Sequence, residues 1–206
     1  MGIPVQFVPD NRLSAVSGGA NHQGVVAVLS PVGYQHVDEM LSRIAPDRDA
    51  VAGRKPVIVI LDRIEDPYNY GAILRSAVGC GAAGVIVPLK NMAPVNAHVV
   101  KASAGTAMRI PIARVSNLET TVQMLKERGY WIVGASGDGD TPVAEMDWDR
   151  PVALIIGNEH SGIAGSLVAN CDFLVSIPLR GDVESLNASV AAGILLYSAS
   201  GGASRG

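Results

Sequence analysis

The feature that most constrains this chain is a rhythm that begins at Lys55. Short apolar runs recur, each the length of a strand: VIVIL (57–61), AGVIVP (83–88), IPIARV (110–115), YWIVGAS (130–136), VALIIG (152–157) and FLVSIP (173–178). They do not alternate polar with apolar, so both faces of each strand must be covered, as in a parallel sheet. The segments between them carry helical spacing: YGAILRSAVGCG (70–81), NAHVVKASAG (96–105), NLETTVQMLKERG (117–129) and SLNASVAAGILLY (185–197). Gly129 is the expected C-cap of the third of these. Strands that alternate with helices predict an α/β domain over 55–200, a mostly parallel sheet with helices on both faces. Composition agrees. Hydrophobic residues make up 48% of the chain, enough for a sizeable core, and aromatics only 4%, which suits closely spaced layers better than an all-β sandwich.

Residues 1–54 lack this rhythm and read as an N-terminal arm and linker. Turn signals stand at Pro9-Asp10-Asn11 and Ser17-Gly18-Gly19, GVVAVL (24–29) is a strand candidate, and 30–56 is a connector with one short helix, VDEMLSRIA (37–45). This segment is too short to bury a core of its own. The GGASRG tail, ending at 206, is expected to be disordered. No apolar run reaches the ~20 residues that span a bilayer, and no signal peptide is visible, so no membrane partner is expected. Cys80 and Cys171 stand apart, without metal-ligand spacing, and are expected to be reduced, buried and structural in a cytoplasmic protein that needs no metal. Net charge is −3, which argues against a protein that merely coats nucleic acid. Residues 1–110 carry 10 Lys/Arg against 8 Asp/Glu, and 111–206 carry 6 against 11, so a polyanion meets the first part more readily.

Ligands of a parallel sheet bind beyond the carboxyl ends of the strands, and three such ends are rich in polar residues. LDRIEDPYNYGAILRS (61–76) places Asp62, Glu65 and Asp66 where a dinucleotide site would carry G-x-G-x-x-G, and three carboxylates would repel a pyrophosphate. Asn69 and Arg75 follow on a helix; a helix cap and a surface ion pair would account for them without function. IIGNEHSGI (155–163) runs from a buried strand into Gly157, which permits close approach of a ligand, and into Glu159, which can accept a hydrogen bond. His160 is not needed as a base. IPLRGDVESLNASVAAGILLY (177–197) ends a strand at a proline and opens a helix at Ser185 and Asn187, with small residues in its first turns that let another backbone come near. The glycines of YWIVGASGDGD form a weaker, fourth signal.

In order and spacing these stretches resemble the SpoU family of RNA 2′-O-ribose methyltransferases, in the SPOUT superfamily. DRIEDPYNYGAILRS (62–76) is similar to D-x-x-x-D-P-x-N-x-G-A-I-x-R-S, IIGNEHSG (155–162) to I-x-G-x-E-x-x-G, and IPLRGDVESLNASVA (177–191) to I-P-x-x-G-x-x-x-S-L-N-x-S-x-A. ANHQGVVA (20–27) resembles the HQG segment that joins the family's RNA-recognition domain to its catalytic domain, which makes 1–54 a remnant of the former.

The resemblance implies a sheet whose C-terminal part is threaded into a deep trefoil knot, S-adenosylmethionine as methyl donor, and a homodimer. It implies RNA as substrate, ribosomal RNA ahead of tRNA, within the group that methylates guanosine ribose in 23S rRNA. It assigns Asn69, Arg75, Glu159, Ser185 and Asn187 to catalysis. Gly157, Ile177 and Leu186 would hold the cofactor beside a loop of Gly134, Ala135 and Ser136. A non-catalytic RNA-binding paralogue and an unrelated nucleotide enzyme are the rival readings; the presence of Arg75 and Asn187 disfavours the first and the acidic loop after 61 the second.

Overall fold

The structure is a computed structural model that describes residues 5–19, 21–27, 32–181 and 183–201. It divides into two compact units, Met1–Ser30 and Pro31–Gly206. In the first, helix α1 (Asp10–Val16) begins directly after Pro9, so the turn signal at 9–11 is a helix start. Ser14 Oγ lies 3.0 Å from His22 Nε2 and ties the helix to the segment that follows. Of the strand candidate 24–29, residues 24–27 are not in a strand, and Val28 and Leu29 lie outside the described residues, as do 202–206 of the tail.

The second unit is a seven-stranded sheet in the order β3-β2-β1-β6-β4-β7-β5. Its strands are β1 (Val57–Leu61), β2 (Gly84–Pro88), β3 (Ile112–Val115), β4 (Trp131–Ala135), β5 (Thr141–Pro142), β6 (Val152–Ile156) and β7 (Phe173–Ser176). Every pairing is parallel. The six strand runs read from sequence are all present, and only the two-residue edge strand β5 is new.

Period-two side-chain alternation divides the core. Val59, Leu61, Leu154 and Ile156 point to one face, where α4 (Pro67–Gly79), α5 (Ala97–Ala102) and α8 (Ala188–Ala199) pack with Ile73, Leu74, Val99, Leu195 and Leu196. Ile58, Ile60, Ala153 and Ile155 point to the other, against α2 (Val37–Ile44), α3 (Arg48–Arg54), α6 (Leu118–Glu127) and α7 (Gly165–Val168). The expected connector over 30–56 thus holds two helices that seal this second face with Met40, Leu41 and Val51, each 2% exposed or less. Asp47, part of the polar run that suggested a linker, starts α3: its carboxylate accepts from Ala50 N at 2.8 Å. Gly129 follows the C-cap Arg128 at φ +94°, the left-handed turn that ends α6.

Close helix packing explains Gly71. A Cβ on Gly71 would lie 2.5 Å from Ala102 Cβ, so α4 and α5 can meet only because that position has no side chain. On the other flank of α4, Gly193 of α8 faces Ser76. Cys80 and Cys171 are free, and both are half-buried. Burial pushes both thiols up, Cys171 to about 11, so they stay protonated at neutral pH.

Candidate active site

The carboxyl ends of β1, β6, β4 and β7 lie side by side in the sheet, and the loops that leave them form the site. Each helix here begins on a polar cap. Asp66 accepts from the N–H groups of Tyr68 (3.1 Å) and Asn69 (3.3 Å), with Pro67 in the first turn. Asn187 Oδ1 accepts from Ser189 N (2.9 Å), Ser189 Oγ (2.6 Å) and Val190 N (3.3 Å) and starts α8. Capping uses only one end of the Asn187 amide. Its Nδ2 donates to Asn69 Oδ1 and to Glu159 Oε1, both at 3.0 Å. Asn69 Nδ2 also donates to Glu159 Oε1. Residues from 69, 159 and 187 therefore close a three-membered ring of hydrogen bonds. Glu159 Oε2 has no partner among the described residues.

The loop that carries Glu159 is a tight turn. Asn158 and Gly162 exchange backbone hydrogen bonds at 2.9 and 3.1 Å, and Asn158 Oδ1 accepts from His160 N at 2.9 Å. A Cβ on Gly157 would stand 2.3 Å from the carbonyl carbon of Gly162, so no other residue fits there without moving backbone.

Two cavities meet at this ring. The larger, about 390 Å³, lies under the loops after β4, β6 and β7 and includes Ala135, Ser136, Gly157, Ile177, Ser185 and Leu186 in its lining. Its size is in the range of small-molecule sites, roughly 300–1,000 Å³. Among the described residues that line it are three carboxylates, Asp138, Glu159 and Glu184, and no Lys, Arg or His. The smaller, about 190 Å³, lies between Ile64–Asn69 and Asn158–His160. Asn158 and Glu159 line both, so they form the partition.

Of the eleven residues singled out from sequence, the structure brings Asn69, Glu159 and Asn187 into contact and sets Ser185 on the wall of the larger cavity. Ala135, Ser136, Gly157, Ile177 and Leu186 line that cavity too. Gly134 does not. It is buried behind the wall, where a Cβ would lie 2.8 Å from Cys171 Sγ and 2.9 Å from Leu174 Cδ2. Arg75 also stands apart. Six residues beyond Asn69 on α4, it lies about 9 Å further along the axis and roughly 120° around it. It is exposed and has no hydrogen bond or ion pair among the described residues. Sequence reading missed Asp138 and Glu184, two acids inside the stretches 130–140 and 177–197, where the glycines, Ser185 and Asn187 carry the signal instead.

The SpoU rRNA Methylase family profile matches residues 56–197, most of the chain. The chain belongs to that family. A second profile, RNA 2'-O ribose methyltransferase substrate binding, matches residues 1–35. YacO of Bacillus subtilis (strain 168), named for the TrmH family of tRNA/rRNA methyltransferases, is 41% identical over 196 residues, which is 95% of this chain and 76% of YacO. Among solved structures, the SpoU methyltransferase AviRb from Streptomyces viridochromogenes, in complex with the cofactor AdoMet, superposes with a TM-score of 0.67 at 33% identity and covers 76% of this chain and 64% of its own. The AdoMet-bound rRNA methyltransferase of Sinorhizobium meliloti gives 0.71 at 32% identity, over 81% of this chain and 60% of its own. The chain thus spans less than two thirds of each of these two solved chains. S-adenosylmethionine is the methyl donor of SpoU methyltransferases, and a cavity walled by carboxylates and apolar groups fits that cation better than it fits a pyrophosphate.

Proposed function

We propose that this chain transfers a methyl group from S-adenosylmethionine to a ribose 2′-hydroxyl in RNA, with ribosomal RNA as its substrate. The observation that carries this reading is the position of Glu159. Its carboxylate is held by two asparagines and stands on the partition between a cofactor-sized cleft and a smaller polar cavity.

S-adenosylmethionine, when bound, supplies an electrophilic methyl on a positively charged sulfur. Ala135, Ser136, Gly157, Ile177 and Leu186 would hold it in the larger cavity. The work of the chain is then to orient a hydroxyl, accept its hydrogen bond and keep water out. Glu159 Oε2, left free by the ring, is the acceptor for that hydroxyl. Asn69 and Asn187 fix the carboxylate, and Ser185 faces the same space. Arg75, on the outer face of α4, binds the RNA phosphate; as an arginine it stays charged and does not act as a base.

Arg75 sits on the outer face of α4, and the neighbouring α8 exposes Val190, Ile194 and Tyr197 in one stripe, with exposures of 50%, 37% and 56%. Three apolar side chains at i, i+4 and i+7 suit a two-fold contact between copies, so we read the working form as a homodimer in which Arg75 reaches RNA at the subunit boundary. Threading of the C-terminal segment through a knot is part of the same reading.

Nucleoside mass spectrometry of ribosomal and transfer RNA incubated with protein and donor tests the reaction. A ribose-methylated nucleoside should appear in the ribosomal pool; methylation on a base, or in tRNA alone, would overturn the corresponding part. Arg75→Ala should lower single-turnover methylation by about 10²–10³ and leave donor affinity within a few-fold. Arg75→Lys should fail nearly as badly, because lysine lacks the planar fork. A 21.3 kDa species in sedimentation at micromolar concentration would count against the dimer.

A further inference from the structure

Asp62 and Arg63 follow β1 directly and line neither cavity, yet both are hydrogen-bonded across to the loop that carries Glu159. Asp62 is 4% exposed. Its carboxylate takes a two-pronged contact from Arg63, Nε to Oδ1 at 3.1 Å and Nη2 to Oδ2 at 2.9 Å. Neighbours in sequence can meet this way because Arg63 adopts φ +60°, a left-handed conformation that costs a non-glycine residue energy and calls for a compensating contact.

The compensation lies across the site. Asp62 Oδ2 accepts from Ala164 N at 2.8 Å. Arg63 Nη1 donates to Ser161 Oγ at 3.1 Å and Nη2 to Gly162 O at 3.0 Å. Asn158 Nδ2 donates to the Arg63 carbonyl at 3.0 Å. Four hydrogen bonds thus run from two residues to the 158–164 loop, at its start, its turn and its end. That loop holds Glu159 and contributes Ser161, Gly162 and Ile163 to the larger cavity.

We propose that Asp62 and Arg63 are a positioning pair for the donor side of the site: the guanidinium, locked on the buried carboxylate, sets the shape of the 158–164 loop and so the affinity for S-adenosylmethionine. Arg63 touches neither the donor nor RNA. The inference rests on the placement of the donor in the larger cavity. It assigns a role outside the ring of Asn69, Glu159 and Asn187. The guanidinium is suited to it because one planar group makes four hydrogen bonds, two to Asp62 and one each to Ser161 and Gly162, while an ammonium has three N–H donors.

The test measures donor affinity by calorimetry, the melting temperature without donor, and the KM values for donor and RNA separately. Arg63→Gln should weaken donor binding about ten-fold, the size of one net hydrogen bond. The donor KM should rise with it and the RNA KM should stay. Melting without donor should fall as well, because the buried Asp62 carboxylate loses its cation, so donor affinity is read well below the transition, where the fold is intact. Arg63→Lys keeps a cation beside Asp62 and retains the fold should the glutamine variant lose it; it should still bind donor several-fold more weakly. Wild-type affinity in the lysine variant would overturn the proposal, as would a loss in Arg63→Gln that vanishes well below its melting transition. Leu186→Arg, which drives a charge into the cavity itself, separates the two levels. If it binds donor normally, the placement of the donor is wrong and this inference falls with it. If it loses donor while Arg63→Gln binds normally, the inference alone fails.

Discussion

The two walls of the larger cavity are built in opposite ways. The 157–164 wall is pinned: Asn158 closes its turn, Asp62 and Arg63 brace it from the next strand, and Asn69 and Asn187 hold Glu159. The wall after β7 is not. Among the described residues of 179–185 no hydrogen bond forms, and Leu179 and Val183 are 38% and 54% exposed. The two walls join at Asn187, whose amide caps α8 with its oxygen and binds Glu159 with its nitrogen. One wall is thus set by the fold before any ligand arrives. The other has few internal contacts to hold it and gains the most from contact with a ligand.

The largest effect is expected where the walls join. Asn187→Asp keeps an oxygen to cap α8, so stability should change little; losing the cap outright would cost about 0.5–2 kcal/mol. The variant cannot donate to Glu159, and it places a second carboxylate beside it. Methyl transfer should fall by about 10²–10³ with melting near wild type. Retained turnover would mean that the ring is only a cap and the walls are independent. Next comes Gly157→Ala on the pinned wall. The added Cβ meets backbone at 2.3 Å, so the turn must move. Donor affinity should drop at least ten-fold and the melting temperature should fall, both by calorimetry. A donor-dependent slowing of hydrogen exchange should appear in 179–181 and 183–185 and be small in 157–164. Equal slowing in both would remove the distinction.

Legibility follows the same division. Strands buried on both faces leave a continuous apolar trace, and all six runs were readable. Helices that seal a face with two or three side chains do not: α3 buries only Val51, and its Asp47 cap sits in the polar composition of a linker. The ring was legible because Asn69, Glu159 and Asn187 sit in long fixed motifs. Gly134 is the hardest of the eleven to place from sequence, because a glycine beside Ala135 and Ser136 suits a ligand loop as well as it suits a buried strand packed on Cys171. The bracing by Arg63 was invisible, since an arginine after a strand has no partner in sequence; Ser161 and Gly162 are 98 and 99 residues away.

The smallest effect belongs to the unpinned wall. Glu184 lines the cavity from an exposed position and makes no hydrogen bond among the described residues. What it can offer a ligand is charge at a distance, and an exposed charge is worth little, about 0–1 kcal/mol. Glu184→Gln should therefore weaken S-adenosylmethionine by no more than about three-fold at low salt, and less as added salt shortens the screening length to roughly 8 Å at 0.15 M. The product, S-adenosylhomocysteine, has lost the sulfonium charge and should bind the variant as it binds the parent. Calorimetry of both ligands at two salt concentrations decides it. An equal loss for both would mean that Glu184 makes a fixed hydrogen bond to a part that the two ligands share, and that the second wall is ordered by specific contacts like the first.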